Sequence, residues 1–211
     1  MLIEVYSDVV CPWCYVGERR LRKALFERPD LAVERRWRPF QLQPEMPPGG
    51  LPWREFVVEK FGSQERASAA FDTVSAAGAP DGIDFRFDRV ANAPNTADAH
   101  RLILHAAEKG LEWAMAEALF RAYFTEGRDL NDHEELAAVA SGVGLHGREV
   151  RGFLEGEEVA DEVWRSQSQA RRLGISGVPF YVVDERYALP GAQPVEVFLR
   201  ALDTIRAEKA S

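Results

Sequence analysis

The sequence predicts an α/β protein: a βαβ opening and a ββα close, with a large all-helical insertion between them. Three observations carry that prediction. The β-prone run at residues 2–7 is followed by a helical pattern and then by a second β-prone run at residues 31–37. Helical periodicity fills the middle of the chain, and extended character returns only near Phe180. At 211 residues the chain is long enough for one substantial core or for two intimately packed subdomains.

Taken in order, the first strand leads to a helix running from Pro12 to about Arg28, which Pro29 and Asp30 stop. Residues 31–37 then give the second strand and complete a βαβ unit. Pro44, Pro47, Pro48, Gly49, Gly50 and Pro52 crowd one loop and mark a boundary. The expected division is therefore residues 1–43 with 175–211 as the α/β unit, and residues 44–174 as the helical insertion.

Inside the insertion, Trp53, Phe56, Val57 and Phe61, then Ala67, Ala70, Phe71 and Val74, fit two short helices separated by Gly62. Residues 82–90 alternate Ile83, Phe85 and Phe87 and are expected to form a loop with strand-like contacts. Asn95 reads as an N-cap with Asp98 three residues on, opening a helix that buries Ala99, Leu102, Ile103 and Ala106 and ends at Gly110. Trp113, Ala116, Phe120, Tyr123 and Phe124 stripe the next helix, and Asp132 caps another through Leu136, Val139 and Ala140. One helix through Val150, Phe153 and Leu154 follows, then one from about Glu157 to Leu173, which Gly174 terminates. Strands at 180–183 and 187–189, with a turn between them, precede a closing helix through Phe198, Leu202 and Ile205.

Composition excludes several classes. A hydrophobic fraction of 46% and a charged fraction of 28% are those of an ordinary globular protein, not a disordered or fibrous one. The net charge of −8 argues against nucleic acid as a partner, because a phosphate backbone needs a basic surface. No apolar run approaches the roughly 20 residues that span a bilayer, so no membrane partner is expected. Met1 to Ser7 is already strand-like and lacks the basic and small-residue features of a secretory signal. A cytoplasmic location is expected, and there a paired thiol is more plausibly catalytic than structural.

The chain has two cysteines, Cys11 and Cys14, in the stretch Cys11-Pro12-Trp13-Cys14 at the junction of the first strand and helix. The first turn of a helix brings two such sulfurs within bonding range, so the pair reads as a reversible redox switch. Cys11 would sit where unpaired backbone N–H groups and the helix dipole favour a thiolate. A dipole contribution of about 2 kcal/mol would bring a thiol pKa near 8.5 down to about 7. Cys14 shares a helix face with Gly17, Leu21, Ala24 and Leu25 and is expected to be the more buried sulfur, so Cys11 attacks and Cys14 resolves.

Pro12 suits the first helical position. Trp13 either offers an aromatic surface to an incoming peptide or covers the edge of the core. His100 and His105 raise the alternative of a metal site shared with the two thiols, but the gap is far too long for a zinc finger and no metal is expected. A structural disulfide is also disfavoured, because a two-residue spacer constrains the unfolded chain little.

The second chemical clue is Gly177-Val178-Pro179-Phe180, where a proline opens a strand without losing a ladder hydrogen bond. From the residues alone a cis Val178–Pro179 bond is not expected, since only about one X-Pro bond in twenty is cis.

Together, Cys-Pro-Trp-Cys after the first strand, the helical insertion, Gly177-Val178-Pro179 and Gly191-Ala192-Gln193-Pro194 resemble the DsbA-like branch of the thioredoxin superfamily. Within it they are most similar to the FrnE-type dithiol-disulfide oxidoreductases of the bacterial cytoplasm, over essentially the whole chain. The resemblance implies a thioredoxin-like fold, Cys11 as nucleophile, Cys14 as resolving thiol and Pro179 as a cis-proline beside them. A cis bond would turn the Val178 backbone toward the thiols, ready to pair with an extended peptide. Pro12, Trp13 and Val178 are thus the expected substrate-binding residues.

The resemblance extends to kappa-class glutathione transferases and 2-hydroxychromene-2-carboxylate isomerases, which typically carry serine where Cys11 stands. Pro94-Asn95-Thr96, Asp98 and His100-Arg101 also resemble a segment of those relatives, which makes Asn95 a further candidate for substrate binding beside its reading as a helix cap. The chain lacks the histidine found between the cysteines of strongly oxidising DsbA proteins, and the charge of Asp8 opposes a thiolate, so extreme oxidising power is not expected. The function expected is a thiol-disulfide oxidoreductase or isomerase acting on disulfide-containing proteins or peptides. No bound cofactor is expected, with glutathione or another thiol reductant as co-substrate. Two rivals remain: a glutathione-dependent isomerase or transferase of small molecules, and a redox-sensitive peptide-binding module.

Overall fold

The computed structural model describes residues 1–209. Strand β1 (Leu2–Ser7) leads into α1 (Pro12–Phe26) and β2 (Glu34–Pro39). The insertion follows as β3 (Leu51–Pro52), α2 (Trp53–Phe61), α3 (Gln64–Gly78), β4 (Asn92–Ala93), α4 (Ala97–Ala107) and α5 (Glu112–Arg121). It continues through α6 (His133–Gly142), α7 (Gly147–Glu155) and α8 (Ala160–Arg172). Strands β5 (Phe180–Val183) and β6 (Tyr187–Pro190) and helix α9 (Val195–Lys209) close the chain. This is the expected α/β frame with a helical insertion.

The main sheet has the order β2-β1-β5-β6. β1 runs parallel to β2, with Val5 beside Trp37, and antiparallel to β5, with Val5 beside Tyr181. Side chains alternate across a strand, so the two faces of this sheet carry different residues. Ile3, Val5, Tyr181 and Val183 point to the face covered by α1 and α9, against Leu21, Phe198 and Leu202. Tyr6, Phe180 and Val182 point to the other face, against Ala170 of α8. A third cluster joins Cys11, Cys14, Tyr15 and Val16 to buried residues of α4, α5, α6 and α7, so the start of α1 rests directly on the insertion.

Boundaries moved where tertiary contacts overrode local pattern. β2 starts at Glu34 instead of Leu31, because the Leu31 N–H is taken by the Arg28 carbonyl in a turn at 3.0 Å. Residues 82–90 form a loop ending in a 3-10 turn at Phe87–Arg89, and the extended pairing falls outside it, between β3 and β4. Phe85 and Phe87 turn inward onto Phe124 and Phe71, which a strand with no neighbour could not provide. α8 starts at Ala160, not Glu157, since Arg101 binds the carbonyls of Phe153, Gly156 and Glu158 and holds the preceding segment as a loop.

The N-cap of α4 is Thr96, one residue beyond Asn95. The Asn95 side-chain oxygen nevertheless accepts from the Ala97 N–H at 2.9 Å, so it performs the capping from outside the cap position. Asp98 does not reach back to complete a capping box; it binds Arg101 and His133. Among the described residues no helix is long and apolar enough to cross a membrane.

Candidate active site

Cys11 is the N-cap of α1, with extended backbone at φ −94° and ψ 110°, and Pro12 occupies the first turn. The strand-to-helix junction is closed by the Cys11 N–H donating to the Asp8 carbonyl at 3.0 Å, while the Cys14 N–H donates to the Cys11 carbonyl at 3.0 Å. Both cysteines are free thiols. Cys11 is 5% exposed and Cys14 1% exposed, so the first sulfur is the more accessible one.

The two thiols are driven in opposite directions. A hydrogen bond donated by the Cys14 thiol is the largest influence on Cys11 and holds its pKa below the ordinary range; the Cys14 backbone N–H and the Lys60 charge act the same way. Burial and the negative charge of Asp8 oppose them. Cys14 is pushed well above its ordinary range, chiefly by burial and then by donating to Cys11. A thiol that donates loses that bond when it ionises, so a single interaction raises one pKa and lowers the other.

Val178 and Pro179 reach this site from the segment that leads into β5, the neighbour of β1 in the sheet. The Val178–Pro179 peptide bond is cis. Pro179 is buried, and the Val178 carbonyl accepts from the Cys11 thiol at 3.6 Å. Residues 167 positions apart thus meet where β5 begins beside β1.

Cys11, Pro12 and Trp13 line a cavity of about 270 Å³ whose remaining wall belongs largely to α2, α3 and the loop before α4. Trp13 is 38% exposed there. Asn95 is not among the lining residues, although Pro94 and Thr96 on either side of it are. Its side chain is engaged by the Met46 carbonyl at 2.6 Å, by Gln41 at 3.3 Å and by the Ala97 N–H, which gives it a bracing position behind the cavity.

Three features of the site were not read from the sequence: the partners that hold Asp8, whose opposing charge was expected, the placement of Lys60, and the aromatic wall. Asp8 is fully buried, with one carboxylate oxygen accepting from the Leu42 N–H at 2.8 Å and the other 3.3 Å from His100 Nε2. His100 Nδ1 accepts from Trp37 Nε1 at 3.1 Å, which assigns the imidazole proton to Nε2, facing Asp8. His105 instead stacks on Phe153 at 4.4 Å, so the two histidines serve different places. Lys60 and the aromatic wall are the other unread features. Trp53, Phe56, Phe61 and Phe71 had the spacing of core stripes, but all four also line the cavity. Periodicity identifies an apolar face without saying whether protein or ligand covers it.

Known proteins share this fold. The structure superimposes on a probable DsbA oxidoreductase of Streptomyces coelicolor with a TM-score of 0.91 and 40% identity, over 99% of this chain and 91% of that one. Bacillus subtilis YwbO is 26% identical over 212 residues, 98% of each chain. The fold is also similar to that of the cytosolic disulfide reductase DsbM of Pseudomonas aeruginosa, solved with GSH: TM-score 0.68 and 23% identity, over 98% of this chain and 100% of that one. Residues 2–203 match the model of the DSBA-like thioredoxin domain, and the chain belongs to that family.

Proposed function

We propose that the protein is a cytoplasmic thiol-disulfide oxidoreductase of the FrnE type that reduces or isomerises disulfides in proteins or peptides. The observation that carries this reading is the opposite bias of the two thiols, an acidified Cys11 facing a cavity and a neutral Cys14 behind it. Cys11 thiolate attacks a substrate disulfide, forming a Cys11–substrate bond and expelling the second substrate sulfur as a thiolate. Cys14 then gives up its proton to solvent and attacks the Cys11 sulfur. That step forms Cys11–Cys14 and releases the first substrate sulfur, so two electrons pass from the dithiol to the substrate. Glutathione or another thiol restores the dithiol, and no bound cofactor takes part. In isomerisation a substrate thiol displaces Cys11 instead.

Pro12 and Trp13 supply the surface beside the attacking sulfur, and the Val178 carbonyl loses its thiol partner when Cys11 ionises, leaving it free to accept from a substrate N–H. The test is multiple-turnover reduction of a protein disulfide with dithiothreitol or glutathione as reductant. Cys11→Ser is expected to abolish turnover and Cys14→Ser to accumulate the mixed disulfide. A native protein that is readily reduced and oxidised yet does not turn over would sink the proposal.

The mainly apolar cavity favours one second reading, a glutathione-dependent isomerase or transferase of small molecules. Turnover of such a substrate by the Cys11→Ser, Cys14→Ser double variant would support it over disulfide chemistry.

A further inference from the structure

The cavity beside Cys11 has a chemical character of its own. Its wall is aromatic: Trp53 stacks on Phe71 at 5.6 Å, and Phe71 stacks on Phe87 at 4.2 Å. At about 270 Å³ it lies near the lower end of the range for small-ligand sites. Its two ionisable groups besides Cys11 and Tyr123 are Asp8 and Lys60. Asp8 is fully buried and already bonded to the Leu42 N–H. Lys60 is exposed, with its ammonium 5.1 Å from the Phe56 ring and 5.9 Å from that of Phe61, and among the described residues it forms no ion pair.

An anion entering this cavity is repelled at the Asp8 end and attracted at the Lys60 end. An apolar ring is accepted along the wall between them. We infer that the cavity selects low-molecular-weight disulfides whose body is apolar and ring-bearing and which carry a carboxylate, with Lys60 pairing that carboxylate while Cys11 attacks the sulfur. This rests on Cys11 being the attacking thiol as proposed above, and it adds the substrate class.

The step balances as follows. Cys11 thiolate cleaves the aryl disulfide, forming a Cys11–aryl disulfide and releasing one aryl thiolate. Cys14 closes Cys11–Cys14, releases the second aryl thiolate and loses its proton to solvent. The protein dithiol supplies both electrons, so no other reactant is required for one turnover.

Pre-reduced protein is mixed with dithiobis(nitrobenzoate), which carries a carboxylate on each ring, and separately with uncharged dithiodipyridine, and release of the coloured thiol is followed by stopped flow. Lys60→Met is expected to slow the carboxylate probe about three- to fivefold more than the uncharged probe, the size of one partly exposed ion pair. The uncharged probe corrects for the effect of Lys60 on Cys11 ionisation, which slows both probes alike. Lys60→Arg is expected to restore the ratio, and 0.5 M salt to erode it in the native protein but not in Lys60→Met.

An equal loss on both probes overturns the inference while leaving the oxidoreductase reading intact. So does a preference for a disulfide peptide bearing an aromatic side chain that Lys60→Met leaves unchanged. Absence of reaction at Cys11 with either probe overturns both.

Discussion

Gly17 of α1 faces Tyr181 of β5 so closely that a Cβ on the glycine would lie 2.3 Å from the tyrosine hydroxyl and 3.1 Å from Pro179 Cγ. The helix that carries the two thiols therefore approaches the strand that carries Val178 and Pro179 through a gap only a glycine leaves. Tyr181 cannot swing aside freely, because it is 1% exposed and packed edge-on against Phe198 at 5.0 Å. Gly17→Ala is expected to destabilise the protein by about 1–3 kcal/mol, the cost of overpacking a full core. Chemical denaturation measures this, and the same variant is expected to slow Cys11 alkylation by moving Val178 against the sulfur. A variant as stable as the native protein would show that β5 yields easily.

Cys11 owes its lowered pKa chiefly to the hydrogen bond from Cys14. Cys14→Ala is thus expected to move the midpoint of Cys11 alkylation by iodoacetamide to higher pH. At any pH well below the midpoint, each unit of upward movement lowers the thiolate population about tenfold. An unchanged midpoint would assign the acidity to the Cys14 backbone N–H and the Lys60 charge instead of the Cys14 thiol.

Asp8 works in the opposite sense. Burial and then the Asp8 charge are what hold Cys11 back from still greater acidity. Asp8→Asn keeps an oxygen for the Leu42 N–H but removes the charge, so the same titration is expected to move to lower pH. A midpoint that rises would mean that the Asp8–His100 contact positions the junction more than its charge perturbs the thiol.

Asp81 ties α1 to the end of α3. Arg20 and Lys23 each donate to its carboxylate at 2.7 Å, and Arg20 also binds the carbonyls of Ala77 and Ala192. Burial pushes the carboxyl up, but the hydrogen bonds from Lys23 and Arg20 outweigh it and leave its pKa below the ordinary value. A depressed folded pKa adds stability above the unfolded value, near 3.9, and loses it as pH falls through the folded one. Asp81→Asn is expected to cost about 1.5–3 kcal/mol at pH 7. The gap from the native protein should close below about pH 4, as followed by thermal unfolding across pH.

By itself, the sequence determined the α/β frame, the helical insertion and the place of the thiol pair. These are local matters: strand and helix periods are written in consecutive residues, and a proline after Cys11 fixes where α1 begins. It also determined which sulfur is the more buried, because Cys14 shares the apolar face with Leu21 and Ala24. Other features depended on distance in sequence and were decided only by the tertiary structure. Val178 meets Cys11 because β5 pairs with β1, and His100 meets Asp8 because α4 packs against β2, the other neighbour of β1. Phe56, Phe61 and Phe71 wall a cavity instead of filling a core, and Lys60 stands over two of those rings. An apolar period states that a face must be covered; only the arrangement of the other helices settles by what.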